Sequence, residues 1–159
     1  MDAMLLLKRQ HQELAGLFDR FEKSNSEDTK LDLFNQIADA LAIHTMIEEA
    51  WYYPAARSKG TKAELAEAYD EHKEVKRLLM DALKNTSAPG FDGRVAAIRG
   101  AVEHHVEEEE NSLFPKVRKL LDKADLDRIG DQMNEMTEDL RRKGAARKRL
   151  SLTPAKAPA

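Results

Sequence analysis

One constant shift lays half of this sequence's chemistry on the other half. It carries His11 onto His72, His44 onto His105, Glu48 onto Glu109, Glu49 onto Glu110, Tyr53 onto Phe114 and Pro54 onto Pro115. Apolar positions follow: Leu14 lands on Val75, Phe18 on Leu79, Phe34 on Val95 and Ile37 on Ile98, and the two histidines of each half are spaced alike. Each copy holds two segments of helical periodicity joined by a break, so the repeat is a helical hairpin. Two hairpins that bury their apolar faces against one another predict an all-α, up-down-up-down four-helix bundle with approximate two-fold symmetry.

The first helix is expected from an Asp2 cap through residues 3–23, with Leu6, Leu7, Leu14, Leu17, Phe18 and Phe21 on one stripe. Ser26 caps a second helix over residues 27–57, whose inner face is Leu33, Phe34, Ile37, Leu41, His44 and Glu48. Pro54 near its end removes a helical hydrogen bond and predicts a kink or stop. Thr61-Lys62-Ala63-Glu64 has the pattern of a capping box and opens a third helix marked by Leu65, Ala68, Tyr69, His72, Val75, Leu79 and Leu83. After the loop at residues 86–90, a fourth helix covers residues 92–121, with Val95, Ile98, Val102, His105 and Glu109 inward and Pro115 repeating the role of Pro54. A shorter fifth helix starts at an Asp125 cap, carries Leu126, Ile129, Met133 and Met136 on one side, and stops at Gly144. The domain is thus expected over residues 1–143, and the small, basic, proline-containing segment 144–159 reads as a disordered tail.

Charge narrows the functional classes. The net charge of −3 hides an acidic body joined to a basic tail, because residues 141–159 carry seven Lys/Arg and no acid. An acidic body is a poor general binder of nucleic acid. No apolar run is long enough to span a bilayer and no signal-peptide pattern opens the chain, so no membrane partner and a cytoplasmic location are expected. With no cysteine in 159 residues, disulfides and thiolate metal sites are excluded.

The histidines carry the functional signal. Counted from the turns at 1.5 Å per residue, His11, His44, His72 and His105 all lie roughly 20–27 Å from the same end of the bundle, on inward faces. Glu48 and Glu109 follow one turn later, since side chains four apart share a helix face. One histidine on an apolar face is ordinarily a hydrogen-bonded core residue. Four at one level with two carboxylates impose a heavy desolvation cost unless a cation neutralises them. Four imidazoles and two carboxylates without thiolate suit a pair of divalent first-row ions such as iron, manganese or zinc, with two histidines per ion and both glutamates able to bridge. Glu108 and Glu110 are candidates for outer support or for alternate ligands; His104, matched by Ile43 in the first copy, falls off the site. Trp51, Tyr52, Tyr53 and Phe114 read as core closure, and Tyr69 lies one turn before His72.

The set His11, His44-x-x-x-Glu48, His72, His105-x-x-x-Glu109 with its two aromatic-proline endings resembles the hemerythrin-like family, the HHE cation-binding domain, over residues 2–140. The resemblance implies a four-helix bundle around two non-haem iron ions bridged by carboxylates and an oxygen species, with those six residues as metal ligands. It implies a protein that binds or senses O2 or a related oxidant, or handles iron. The alternatives are a di-iron enzyme acting on peroxide or nitric oxide, and a metal-stabilised helical interaction module whose basic tail meets an acidic partner. No catalytic residue is assigned. Two departures separate the chain from the oxygen carriers of the family: Lys76 stands where their third helix has a second histidine, and His105-x-x-x-Glu109 replaces their His-x-x-x-x-Asp.

Overall fold

The computed structural model describes residues 1–144 and 146–152, and no strand is present among them. Helices α1 (Ala3–Lys23) and α2 (Glu27–Ile47) form the first hairpin, and α4 (Lys62–Lys84) and α5 (Phe91–Glu108) form the second. Asp2 caps α1 by accepting from the Met4 backbone N–H, and Ser26 caps α2 through Thr29. The inner residues expected of the four helices are buried, apart from the half-buried Leu17 and Leu83. Arg99 of α5 reaches Asp19 and Glu22 of α1, and Lys30 of α2 reaches Asp92 of α5, so charged pairs lace the outside of the bundle.

Neither proline ends its helix. Beyond α2 the chain widens into a π turn, Glu48–Tyr52, and then resumes as the short α3 (Tyr53–Ala55). Beyond α5 the same happens at Glu109–Leu113, followed by α6 (Phe114–Leu120). In each turn the hydrogen bond skips a residue, from Tyr53 N–H to Glu48 O and from Phe114 N–H to Glu109 O. Pro54 and Pro115 consequently fall in the first turn of a new α segment, where a missing N–H costs nothing and the fixed φ is already helical. The shift that carries His11 onto His72 also carries one π turn onto the other, so the repeat extends to the backbone.

Three local expectations change. The Thr61 hydroxyl does not cap α4: it donates to Ala56 O at 2.6 Å and accepts from Ser58 N–H at 3.0 Å, tying the 56–61 turn together. Its intended capping-box partner, Glu64, pairs with Lys116 instead. The fifth long helix, α7 (Lys123–Lys143), starts earlier, with Asp122 accepting from Asp125 N–H, and at 21 residues it matches α1 and α2 in length. It stops where expected, at Gly144 with φ +65°.

Helix α7 packs on α1, α2 and the first π turn, burying Leu126, Ile129, Met133 and Leu140 against the first hairpin. Gly130 lies where a Cβ would run into the Met1 carbonyl, so the start of α1 and α7 approach to backbone contact. Part of the stretch expected as tail forms a short helix, α8 (Ala146–Leu152), in which Ala146 is buried and Arg147 pairs with Asp39 at 2.7 Å. Ala145 and residues 153–159 lie outside the described residues. No helix among the described residues is long and apolar enough to cross a membrane.

Candidate metal centre

The bundle brings all six expected residues together. His11, His44, His72 and His105 are buried at 2–6% exposure, and Glu48 and Glu109 at 0% and 2%. They sort by hairpin. The rings of His11 and His44 lie 4.9 Å apart, edge to face, and those of His72 and His105 lie 4.8 Å apart in the same arrangement. Both carboxylates stand between the pairs and offer one oxygen to each. Glu48 Oε1 is 2.9 Å from His44 Nε2, and its Oε2 is 2.8 Å from His72 Nε2. Glu109 Oε1 is 3.3 Å from His11 Nε2, and its Oε2 is 3.4 Å from His105 Nε2.

The result is two adjacent donor sets. The first is His11, His44, Glu48 and Glu109, whose facing atoms all lie within 4.8 Å of one another; the second is Glu48, His72 and His105 by the same measure, with Glu109 Oε2 alongside. Buried polar atoms are normally hydrogen-bonded. In the first set His11 Nε2, His44 Nε2, Glu48 Oε1 and Glu109 Oε1 are buried and face only one another, at 2.9 Å and 3.3 Å, without an aligned hydrogen bond. Four converging lone-pair donors without an aligned hydrogen bond are what a cation satisfies and what an apolar core would not retain. The residues fit a metal.

The second set is closed differently. The Tyr53 hydroxyl sits among its donors, 2.9 Å from both Glu48 Oε2 and Glu109 Oε2, and 3.0 Å and 3.3 Å from the Nε2 atoms of His72 and His105. Sequence periodicity missed this residue for a geometric reason. Five residues along an α-helix, Glu48 and Tyr53 would point about 140° apart. The π turn between them puts both on one face. The available signal was a proline placed six residues after each helical glutamate, which demands such an adjustment at both sites. In the other copy Phe114 takes the equivalent place and stacks on His11, ring centroids 6.4 Å apart.

Each imidazole turns its other nitrogen outward to a fixed partner. His11 Nδ1 meets Glu110 Oε1 at 2.7 Å, His44 Nδ1 meets Gln10 Oε1 at 2.7 Å, His72 Nδ1 meets Glu49 Oε2 at 3.2 Å, and His105 Nδ1 meets Glu71 Oε1 at 2.8 Å. Such partners fix the tautomer and leave Nε2 as the lone pair for a metal. Of the two glutamates expected as outer support, Glu110 has that place and Glu108 does not. Exposed His104 is off the site, its Nε2 3.1 Å from the far oxygen of Glu71. Tyr69 reaches the site through Tyr53, their rings 5.3 Å apart. Lys76 is half-buried, and its burial holds the ammonium below its usual pKa against the charge of Glu49.

Burial pushes the Glu48 carboxyl up, but His44, His105 and His72 together outweigh it and hold it well below the carboxylate range. Glu109 is raised by burial and by Glu48, yet His105 and His11 bring it down on balance. Burial lowers His11, His72 and His105, and the surrounding carboxylates reverse that and raise all three, His105 furthest. Tyr53 is driven well above its ordinary value by burial and by the charges of Glu109 and Glu48, so its hydroxyl keeps its proton. Without metal, the raised values of His11, His72 and His105 let protons on these three rings offset the two carboxylates.

On the side of the histidines lies a cavity of about 10 Å³, walled by Leu14, Leu41, Val75, Val102 and Val106 along with Thr45 and all four imidazoles. That is room for one water-sized molecule in mostly apolar surroundings.

The sequence profile of the family described as Hemerythrin HHE cation binding domain matches residues 3–117. A DNA nickase of Nostoc sp. (strain PCC 7120) is 34% identical over 123 residues, which are 76% of this chain and 35% of that protein. The chain therefore spans about a third of that relative. An uncharacterized protein of Mycobacterium tuberculosis (strain H37Rv) is 32% identical over 145 residues, 89% of this chain and 88% of the relative. Among solved structures, a hemerythrin HHE cation-binding domain-containing protein from Mycobacterium kansasii superposes with a TM-score of 0.78 at 29% identity, covering 94% of this chain and 93% of that one.

Proposed function

The chain belongs to the hemerythrin HHE cation-binding domain family, and on that premise we propose that it is a non-haem di-iron protein that binds or senses O2 or a related small oxidant. The observation that carries this reading is the set of four buried donor atoms without an aligned hydrogen bond on His11, His44, Glu48 and Glu109, set beside a second group of Glu48, His72 and His105. Iron held there would act as a Lewis acid able to polarise a bound small oxidant. His11 and His44 would hold one ion, His72 and His105 the other, and each carboxylate has an oxygen directed to both. Nitrogen and oxygen donors without sulfur suit iron, manganese or zinc, and the resemblance to hemerythrins puts iron ahead of the other two.

The protein's own groups do the rest. Gln10, Glu49, Glu71 and Glu110 hold the imidazoles in the tautomer that faces inward. The cavity walls admit a molecule about the size of water and offer it little hydrogen bonding, which suits a diatomic such as O2 or nitric oxide better than any larger substrate. Tyr53 carries a hydroxyl that touches both carboxylates and retains a proton that it can donate to Glu48 or Glu109.

Iron loading and optical spectroscopy test the proposal. The reconstituted full-length protein is expected to hold close to two iron ions per chain and to change its near-ultraviolet and visible spectrum on exposure to O2, peroxide or nitric oxide. Less than one iron per chain after reconstitution sinks the reading.

A further inference from the structure

The four outward contacts of the histidines obey the repeat in one half and break it in the other. Glu49 and Glu110 occupy equivalent places in the two copies, and each holds the first-helix histidine of the opposite hairpin: Glu49 holds His72 and Glu110 holds His11. Gln10 and Glu71 are likewise equivalent, and each holds the second-helix histidine of its own hairpin: Gln10 holds His44 and Glu71 holds His105. The distances are nearly equal, 2.7 Å and 2.8 Å. The geometry is therefore retained while the partner changes from a neutral amide to a carboxylate.

That exchange has a defined chemical effect. An imidazole whose Nδ1–H donates to a carboxylate gains electron density at Nε2, because a charged acceptor draws the proton more strongly than an amide oxygen does. His105 is backed this way, and His72 is backed by Glu49. His44 has only the amide of Gln10. We propose that Gln10 and Glu71 are positioning residues that make the two metal positions chemically distinct. Glu71 renders His105 a stronger donor at the second position than Gln10 renders His44 at the first. The inference rests on the reading that both positions take a metal. Gln and Glu have almost the same shape, so exchanging them changes charge and little else. Gln10 also borders a groove beside Glu13, Gln36, Asp39 and Arg141, where an added charge meets solvent and a cation.

The test uses full-length metal-free protein and Co²⁺ as the probe, with calorimetry for affinity and visible absorption for the ligand field. Wild-type protein is expected to bind two ions in resolvable steps. Glu71→Gln should weaken one step by roughly 10–100-fold, the usual cost of losing an outer partner of a metal ligand, and leave the other step in place. Gln10→Glu should tighten the other step by about 10-fold and shift only the absorption bands that grow with that step. The double variant should exchange the two effects. Equal movement of both steps in either variant, or no movement of either, overturns the inference while leaving metal binding intact. Failure of the wild type to take up cobalt removes the reading beneath it, a result distinguishable from both.

Discussion

The two positions at the centre of this bundle share the same kinds of donor atoms and differ in what closes them. At His11 and His44, the donor atoms lack aligned hydrogen bonds and a phenylalanine ring lies alongside. At His72 and His105, a tyrosine hydroxyl fills the space among the same kinds of atoms. The hairpins also have different surroundings, since α7 packs on α1 and α2. The difference teaches where a duplicated fold is free to diverge. Two carboxylates serve both positions at once, so altering either is felt twice. An aromatic ring or an outward partner serves one position and can change alone.

The largest expected effect follows from the shared carboxylates. Glu48→Ala should cut affinity at both positions by more than the ~100-fold typical of an outer partner, because a ligand atom is lost from each. Elemental analysis after reconstitution checks it, and loss of only one ion would show that Glu48 serves a single position. Next comes the aromatic exchange. Tyr53→Phe removes the hydroxyl that two buried carboxylates share and should destabilise the metal-free protein by about 1.5–3 kcal/mol, the range for a hydrogen bond to a charged group. Phe114→Tyr offers the first position the hydroxyl it lacks and should raise metal-free stability instead. Chemical denaturation measures both, and changes of the same sign would erase the contrast between the positions.

The third effect depends on pH. Since His11, His72 and His105 have folded-state values raised above about 6.5, their stabilising contribution is complete below that pH and is lost as pH rises through the raised values. Glu48 and Glu109 are lowered from 4.5, so their contribution is complete above that value and is lost as pH falls through the lowered ones. The melting temperature of metal-free protein should therefore decline on the alkaline side of about 6.5, and metal-loaded protein should not share that decline. Identical alkaline profiles for the two forms would mean that protons do not stand in for metal. The smallest effect concerns the cover on the first hairpin. Gly130→Ala forces the start of the chain away from α7 and should cost about 1 kcal/mol, at the low end for overpacking, with metal stoichiometry unchanged. Thermal melting and iron quantification together check it.

What the sequence made legible was whatever repeats with a helical period. His11, His44, His72 and His105 share a level because each sits at a countable distance from a turn, and Glu48 and Glu109 share their face because four residues make about one turn. Caps proved less legible. Asp122 and Asp125 are both good N-cap residues, and the backbone uses the earlier one. At Thr61 the side chain had a closer acceptor in Ala56 O, which periodicity says nothing about. Tyr53 was hidden because its direction depends on a π turn, and a 3.6-residue period assigns it to another face. Gln10 and Glu71 were hidden because long polar side chains at the rim look like solvated surface until their partners across the bundle are in place.

The π turns have one more consequence. Each is an α-helix carrying one residue beyond what its register needs, so the chain holds a matched pair of tolerated insertions. Deleting exposed Ala50 or exposed Asn111 would restore the ordinary register in one copy while leaving the upstream histidine and glutamate where they are. The aromatic-proline pair would swing by about 100° and the proline would meet the carbonyl four residues back. Deletion of a single residue, rather than substitution, would thus unlock one end of the centre at a time.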